Sequence, residues 1–172
     1  FILILKKNLV LIGMMGVGKS TIGRLLSIKL GIPFEDLDRI IEKSENLKIN
    51  EIFRSKGEAY FRKIEEKECL KVIKKKGRII ALGGGTFMNE IIRKNIINKS
   101  LTVWLNLPQD EIFKRVKKSK KRPLLANVKS KKDVEKIYLK RKKIYSLADF
   151  ELDCKFKNKK KIVNEIKIIY EN

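Results

Sequence analysis

The glycine-rich segment at residues 13–21, GMMGVGKST, constrains this chain more than any other part of its sequence. It matches the pattern G-x-x-x-x-G-K-[ST], in which a strand-to-helix loop surrounds phosphate groups with backbone N–H groups. An apolar run at residues 9–12 precedes the segment, and an apolar repeat of helical spacing follows it. The segment therefore predicts a phosphate-binding loop (the P-loop) that binds a nucleoside triphosphate.

The P-loop residues divide nucleotide binding between the backbone and a few side chains. Glycines such as Gly13 and Gly18 permit the tight turns that bring successive N–H groups onto an anion. Lys19 is expected to reach the β- and γ-phosphates, and the Ser20 hydroxyl is expected to bind Mg²⁺. The predicted nucleotide-binding residues of the loop are Gly13, Gly16, Gly18, Lys19, Ser20 and Thr21.

The charge balance of the chain admits two interpretations. Lys and Arg number 42 against 20 Asp and Glu, a formal net charge of +22, which would suit a nucleic-acid partner. The alternative is a bias of composition, since Lys, Ile and Asn are all abundant, as A+T-rich codons would produce. The lysines are spread in short clusters, with no aromatic RNA-binding motif or zinc-knuckle spacing beside them. We therefore expect no specific nucleic-acid partner.

The cysteine content and the hydropathy pattern indicate in which cellular compartment the protein is expected. Cys69 and Cys154 form no CxxC pair and the chain has no histidine, so no zinc site is predicted and a reducing cytoplasm is expected. No apolar run approaches the ~20 residues that span a bilayer, so no membrane partner is expected. Residues 1–5 are apolar but too short for a secretory signal. The chain begins with Phe1 rather than methionine, so we expect its original start to have been trimmed or to lie upstream.

Strand-like runs alternate with segments of helical period along the whole chain. Strands are predicted at residues 9–12, 32–38, 78–82, 101–105 and 150–153. Helices are predicted at residues 22–30, 49–56, 58–75, 89–97, 109–117, 133–146 and 162–170, with Gly57 separating two of them and Asp133 capping another. Such alternation indicates an α/β fold with a parallel sheet covered on both faces by helices, in a single domain.

Two aspartates follow the second predicted strand. Read as a strand, Asp36 and Asp38 point the same way, toward the carboxyl end of the sheet, where ligands of α/β proteins bind. They could equally cap the helix that follows. The third strand ends in Gly83, Gly84 and Gly85 without the acidic residue that often helps hold Mg²⁺. Asp36 is therefore the candidate for that role.

Other charged residues have a plain interpretation beside a functional one. Arg62 and Glu65 lie three positions apart in a predicted helix, a spacing that usually gives a solvated ion pair. Residues 118–132 are lysine-rich and aperiodic around an Arg122-Pro-Leu-Leu segment, which is the composition of a mobile flap.

Taken together, these motifs resemble those of the shikimate kinase family. The resemblance rests on the P-loop, Asp36-x-Asp38, the segment GEAYFR at residues 57–62 with Glu65, the glycine triplet, RPLL at residues 122–125, and Arg141 ahead of Tyr145. It implies a P-loop nucleoside-monophosphate-kinase-like fold of three layers. That fold has five parallel strands in the order 2-3-1-4-5, a substrate-binding helical region at about 37–65 and a lid at about 118–132.

The resemblance implies transfer of the γ-phosphoryl of ATP to the 3-hydroxyl of shikimate, in aromatic amino-acid biosynthesis. By the same resemblance, Asp38 would hold the shikimate hydroxyls and accept the proton, and Arg62 and Arg141 would clamp the carboxylate. Glu65 would orient Arg62, and Gly83, Gly84 and Gly85 would approach the ring with their backbone. Forked arginine donors suit a carboxylate better than a lysine ammonium does.

The nucleotide side follows from the resemblance as well. Lys19 and Arg122 would neutralise the transferring phosphoryl group, Asp36 would hold Mg²⁺ through water, and Arg115 would stack on adenine. Lys159 stands where the family commonly has the proline that forms the other wall of the adenine pocket. We expect a cytoplasmic monomer with ATP, shikimate and Mg²⁺ as its ligands.

Two other functions remain compatible with the sequence. A gluconate-type or other small-molecule P-loop kinase would share the fold and the loop, and gluconate also has a carboxylate. A P-loop ATPase that binds nucleic acid would account for the positive charge. Its binding would weaken steeply with salt, so a salt titration separates it from a kinase.

Overall fold

Five parallel strands form one sheet in the computed structural model, which describes residues 7–97, 99–118 and 128–172. The strands are β1 (Asn8–Ile12), β2 (Phe34–Asp36), β3 (Ile79–Ala81), β4 (Ser100–Asn106) and β5 (Phe150–Asp153). Their order is β2-β3-β1-β4-β5, and every neighbouring pair is parallel. This confirms the predicted α/β fold class and the strand order 2-3-1-4-5.

Helices connect the strands and pack against the sheet and each other. They are α1 (Lys19–Leu30), α2 (Leu37–Glu45), α3 (Ile49–Lys74), α4 (Glu90–Ile97), α5 (Gln109–Lys117), α6 (Lys131–Tyr145) and α7 (Lys159–Glu171), with a 3₁₀ turn at Thr86–Met88. Helix α1 contacts both α7 and β3, while α4 contacts β4 and α2 contacts α3. Among the described residues, no helix has the length and apolar composition needed to cross a bilayer.

Strand β1 lies in the middle of the sheet and is buried along its whole length. All five of its residues are buried, and Leu9, Val10 and Leu11 have no exposed surface. Because successive side chains of a strand point to opposite faces, such a strand must be covered on both sides. The P-loop thus begins from a buried strand with a neighbour on each side, which limits how far its backbone can move.

The carboxyl ends of three strands meet at one edge of the sheet. Asp36 of β2 lies in register with Ala81 of β3, and Ala81 lies in register with Leu11 of β1. Neighbouring strands are about 5 Å apart, so the segments that follow these three residues share a small region. Those segments are the aspartate pair, the glycine triplet and the P-loop.

The predicted second strand was too long. It ends at Asp36, and Asp38 lies in the first turn of α2. The Asp36 carboxylate accepts a hydrogen bond from the Asp38 N–H at 3.1 Å, so Asp36 caps this helix. The capping interpretation is therefore correct for Asp36. The reason is local, because an aspartate side chain satisfies an N–H group that has no partner inside the helix.

Helix α3 contains the predicted break at Gly57. Its backbone there has φ 80° and ψ 172°, which is far from helical and favours glycine. The helix therefore bends at Gly57, as the sequence predicted, and the bend separates the part that begins at Ile49 from the part that carries Arg62 and Glu65.

The start of α6 differs from the prediction. Ser130 caps the helix, not Asp133, and Asp133 instead accepts a hydrogen bond from the Ser130 N–H at 2.8 Å. The two residues form a reciprocal capping box. Helix α6 begins at Lys131, so the last residues of the predicted flap are helical. Residues 119–127 of that flap, which include Arg122, lie outside the described residues.

Candidate active site

Two cavities lie side by side at the carboxyl edge of the sheet. The larger, the acceptor cavity, has a volume of about 740 Å³ and is lined from α2, α3, the glycine triplet and α6. The smaller, the phosphate cavity, has a volume of about 220 Å³ and is lined mainly by the P-loop and the start of α1. Met15, Asp36 and Asp38 line both cavities. A group held in one cavity could therefore meet a group held in the other beside these aspartates.

All of the predicted substrate-binding residues line the acceptor cavity. They are Asp38, Arg62, Glu65, Gly83, Gly84, Gly85 and Arg141. They come from α2, α3, the loop after β3 and α6, which are separated by up to about a hundred residues of sequence. The tertiary structure thus assembles the predicted set, although their roles toward a substrate remain predictions.

The glycine triplet brings backbone close to the two arginines. A Cβ atom on Gly84 would lie 3.1 Å from Arg141 Nη1, and a Cβ atom on Gly85 would lie 3.1 Å from Arg62 Nη1 and Nη2. Any side chain at these positions would crowd the guanidinium groups. The absence of side chains at Gly84 and Gly85 therefore lets both guanidinium groups lie close against the backbone of the triplet.

Arg62 is held by a buried carboxylate. Its Nη1 atom donates to Glu65 Oε2 at 2.8 Å, and Nη2 donates to Glu58 Oε1 at 3.3 Å. Burial would lower the pKa of the Arg62 guanidinium, but the charge and hydrogen bonds of Glu65 and Glu58 outweigh it and hold that pKa above its usual range. The Glu65 side chain is only 3% exposed. The expectation of a solvated ion pair is therefore wrong, because packing buries one partner.

Arg141 lines the acceptor cavity and carries one buried, unpartnered donor atom. Its Nη1 atom is fully buried and has no hydrogen-bond partner among the described residues. A buried guanidinium nitrogen without an acceptor is costly, and an anionic ligand would remove that cost. Arg62 lies against the same glycine triplet, so the cavity has two guanidinium groups whose forked donors suit a carboxylate.

Tyr145 fixes the middle of the glycine triplet. Its hydroxyl donates to the Gly84 carbonyl at 2.5 Å, and the residue has no exposed surface. Burial raises the pKa of Tyr145 to about 12, against the opposing effect of Arg141. The phenol therefore keeps its proton at neutral pH and remains a donor. In the sequence Tyr145 belongs only to the resemblance, and no local pattern predicts this role.

The P-loop turns tightly and bonds to itself. Gly13 has φ 139°, and a Cβ atom there would lie 2.6 Å from the Leu105 carbonyl oxygen. The Lys19 ammonium donates to the carbonyls of Gly13 at 2.7 Å and Met14 at 2.9 Å. Lys19 is only 6% exposed. Its charge is thus held inside the loop, where phosphate groups would lie.

Most predicted nucleotide-binding residues line the phosphate cavity. They are Gly16, Gly18, Lys19, Ser20, Thr21 and Arg115. Gly13 does not line it and serves the turn instead. Arg115 also contacts the outer side of the loop, donating to the carbonyls of Gly16 at 3.4 Å and Val17 at 3.3 Å.

Oxygen atoms that suit Mg²⁺ lie in the phosphate cavity. Ser20, Asp36 and Asp38 line it together, and Mg²⁺ prefers a hydroxyl and carboxylates of this kind. Within the described ranges, no three His, Cys, Asp or Glu residues are grouped closely enough to enclose a metal. This donor set therefore fits a magnesium ion that keeps several waters and phosphate oxygens as ligands.

The acceptor cavity is also lined by residues that were not predicted from the sequence to belong to a site. Ile49, Phe53 and Phe61 supply apolar surface, and the rings of the two phenylalanines lie 4.6 Å apart. Asn50 lines the cavity with a buried Oδ1 atom that has no hydrogen-bond partner among the described residues. The four-residue spacing of Ile49 and Phe53 is a helical signal for one face, whereas nothing in the sequence marks Asn50.

The family model and the curated relatives compared agree on one family. The family model described as shikimate kinase matches residues 15–170. A shikimate kinase from Persephonella marina is 40% identical over 160 residues, covering 93% of this chain and 96% of the relative. The crystal structure of shikimate kinase from Aquifex aeolicus superposes with a TM-score of 0.84 at 38% identity, covering 95% of this chain and 96% of that one.

A second solved structure carries a ligand. Shikimate kinase from Acinetobacter baumannii, in complex with shikimate, superposes with a TM-score of 0.91 at 27% identity. The match covers 95% of this chain and 92% of that chain. Similarity over nearly the whole length therefore includes both cavities and not the P-loop alone.

Proposed function

This chain belongs to the shikimate kinase family, and we propose that its acceptor cavity holds shikimate and its phosphate cavity holds the phosphates of ATP. It is an ATP-dependent kinase, a phosphotransferase that acts on an alcohol group, and it serves aromatic amino-acid biosynthesis. The observation that carries the assignment of the cavities is that Asp36 and Asp38 line both of them. Phosphoryl transfer needs its two reactants in contact, and this is where the cavities meet.

The shikimate carboxylate would lie between Arg62 and Arg141. Both guanidinium groups lie against the glycine triplet. The Nη1 atom of Arg141 is buried and has no hydrogen-bond partner among the described residues. Glu65 would keep the Arg62 fork oriented through its 2.8 Å bond. Gly84 would contact the ring through its backbone, held in place by Tyr145.

The 3-hydroxyl of shikimate would meet Asp38 at the junction of the cavities. An ionised carboxylate accepts a hydrogen bond from the hydroxyl and can take its proton as the new P–O bond forms. This orients the hydroxyl oxygen toward the γ-phosphorus atom. Asp38 is well placed for this because the first turn of α2 holds it beside Gly83, where an added Cβ would lie 3.1 Å from its Oδ1 atom.

In the phosphate cavity, the P-loop N–H groups and Lys19 would bind the phosphates of ATP. Ser20 and Asp36 would hold Mg²⁺, Asp36 through water, and the ion would offset negative charge on the phosphates. Arg115 would stack on adenine. Arg122, in the lid and outside the described residues, would add positive charge at the transferring group when the lid covers both substrates.

One chain would suffice for this chemistry, so we also propose that the enzyme is a monomer. We propose a cytoplasmic location as well, since Cys69 and Cys154 are both buried, free thiols, as expected in a reducing compartment. Light scattering at several protein concentrations would test the monomer, and a mass that rises with concentration would contradict it.

A coupled assay of ADP release tests the proposed function directly. The purified chain is given ATP and Mg²⁺ with shikimate, with gluconate, or with no acceptor. ADP release that depends on shikimate is expected, and the phosphorylated product should carry its phosphate on the 3-hydroxyl by NMR. Turnover of gluconate but not of shikimate would contradict the assignment of the acceptor cavity.

A further inference from the structure

Thr86, the first residue after the glycine triplet, is buried against the carboxylate that holds Arg62. It has no exposed surface and begins the short 3₁₀ turn, where its N–H donates to the Gly83 carbonyl at 3.2 Å. Its hydroxyl donates to Glu65 Oε1 at 2.5 Å. Neither the motifs of the sequence nor the proposed function assigns a task to this hydroxyl.

The two oxygen atoms of Glu65 therefore have two different partners. Oε2 accepts from Arg62 at 2.8 Å, and Oε1 accepts from Thr86 at 2.5 Å. The Glu65 side chain is 3% exposed, so solvent offers little in place of either bond. A carboxylate held at both oxygens cannot turn about its last bond without losing one of them, which fixes the plane in which Arg62 is bound.

Thr86 also lies where oxygen atoms crowd around Gly83. A Cβ atom on Gly83 would lie 2.9 Å from Thr86 Oγ1, 3.1 Å from Asp38 Oδ1 and 3.3 Å from Glu65 Oε1. The Asp38 and Glu65 carboxylates thus lie on the same side of Gly83, and their like charges repel one another. The hydroxyl proton of Thr86 draws Glu65 Oε1 into a defined bond, which keeps Glu65 in the position that serves Arg62.

We propose that Thr86 is a positioning residue for acceptor binding, which acts through Glu65 on the orientation of the Arg62 guanidinium. This rests on the proposed function, in which Arg62 binds the carboxylate of shikimate. Thr86 does not contact the substrate in this proposal. Its hydroxyl is needed in the free enzyme as well as in the complex, so its loss weakens shikimate binding and leaves the nucleotide side unchanged.

The experiment compares Thr86→Val with Thr86→Ser. Valine keeps the shape and removes the hydroxyl, whereas serine keeps the hydroxyl and removes a methyl group. Because the lost hydrogen bond to a charged group acts on the substrate only through a second residue, we expect KM for shikimate to rise about five- to tenfold in Thr86→Val. KM for ATP should stay unchanged, and Thr86→Ser should remain within about twofold of the wild type.

Thr102→Val is the matched control. Thr102 is also without exposed surface, and its hydroxyl donates to the Asp149 carboxylate at 2.7 Å in strand β4, away from both cavities. Both valine variants should lower the melting temperature, because each leaves a carboxylate short of a bond. The increase in KM for shikimate should belong to Thr86→Val alone. An equal increase in Thr102→Val would show a general loss of stability and overturn the proposal.

A double variant tests the route through Arg62. In an Arg62→Lys background the oriented fork is already lost, so adding Thr86→Val should raise KM for shikimate by less than about twofold. A full further increase of about five- to tenfold would mean that Thr86 acts independently of Arg62 and would overturn the proposal. If Thr86→Val does not fold by circular dichroism, Thr86→Ala replaces it in the same comparison with Thr86→Ser.

Failure of this inference is distinguishable from failure of the proposed function. A wild-type chain that does not phosphorylate shikimate would overturn both. A wild-type chain that phosphorylates shikimate, with an unchanged KM in Thr86→Val, would overturn only the role of Thr86.

Discussion

The acceptor cavity and the phosphate cavity are built by different parts of the chain in different ways. The phosphate cavity is formed largely by one continuous loop, whose lysine donates to carbonyls of that same loop at 2.7 and 2.9 Å. The acceptor cavity is formed by side chains from several elements, and its arginine is held by a carboxylate that another side chain holds in turn. The phosphate cavity is chiefly a backbone site, and the acceptor cavity is a network of side chains.

This difference teaches where each site is vulnerable. A backbone site depends on glycine conformations, such as φ 139° at Gly13, and on the buried strand β1 that anchors it. A side-chain network depends on every member, because loss of one leaves a buried charge incompletely paired. Substitutions should therefore affect the two substrates separately, except at the aspartates that line both cavities.

Lys19→Ala should give the largest difference between the effects on the phosphate cavity and on the acceptor cavity. Removing a charge that acts on the transferring phosphoryl group should lower kcat by about 10³-fold, while shikimate still binds. Steady-state kinetics and calorimetric titration with shikimate measure the two effects. Lys29→Ala is the control, since Lys29 is exposed on the same helix and should leave kcat unchanged. Retained turnover in Lys19→Ala would remove the P-loop lysine from the mechanism.

Asp38→Asn and Asp36→Asn should have different kinetic effects, although both residues lie where the two cavities meet. Asp38→Asn keeps the size but removes the base, so kcat should fall about 10²-fold with ATP·Mg²⁺ binding nearly intact. Asp36→Asn should instead raise the Mg²⁺ concentration needed for half-maximal rate. Asparagine caps a helix as well as aspartate does, so the start of α2 should survive that change. Magnesium titrations of both variants measure this, and the reverse pattern would exchange the two roles.

Arg141→Lys should affect the acceptor cavity alone. Lysine keeps the charge but loses the planar fork, so KM for shikimate should rise about tenfold or more while KM for ATP changes little. Lys142→Ala, an exposed position on the same helix, serves as the control and should change neither constant. A variant with weaker ATP binding and an unchanged KM for shikimate would contradict the clamp assignment.

Arg115→Ala should give the smallest effect, on the phosphate side. Stacking of an exposed guanidinium on an aromatic ring contributes about 0.5–1 kcal/mol, so KM for ATP should rise about two- to fivefold with KM for shikimate unchanged. Lys114→Ala removes an exposed charge from the same turn of α5 and should have less effect. If both variants raised KM for ATP equally, general charge rather than stacking would explain the change.

Much of the fold could be predicted from the sequence because its signals are local. The P-loop pattern, the apolar runs and the glycines near helix ends report on backbone geometry within a few residues, and the resemblance supplied the strand order. Gly57 illustrates this, since the predicted break and the observed bend coincide. Boundaries were less well predicted where a capping side chain decided them, as at Asp36 and Ser130.

The acceptor site was only partly predictable, because its members meet across long stretches of sequence. The sequence by itself determined which residues could take part, since its motifs mark Arg62, Arg141 and the glycine triplet. Only the tertiary structure decided that Glu65 is buried, that Thr86 and Arg62 share its carboxylate, and that Tyr145 holds Gly84. The physical reason is that burial and hydrogen-bond partners depend on how distant elements pack, and no local pattern of residues encodes that contact.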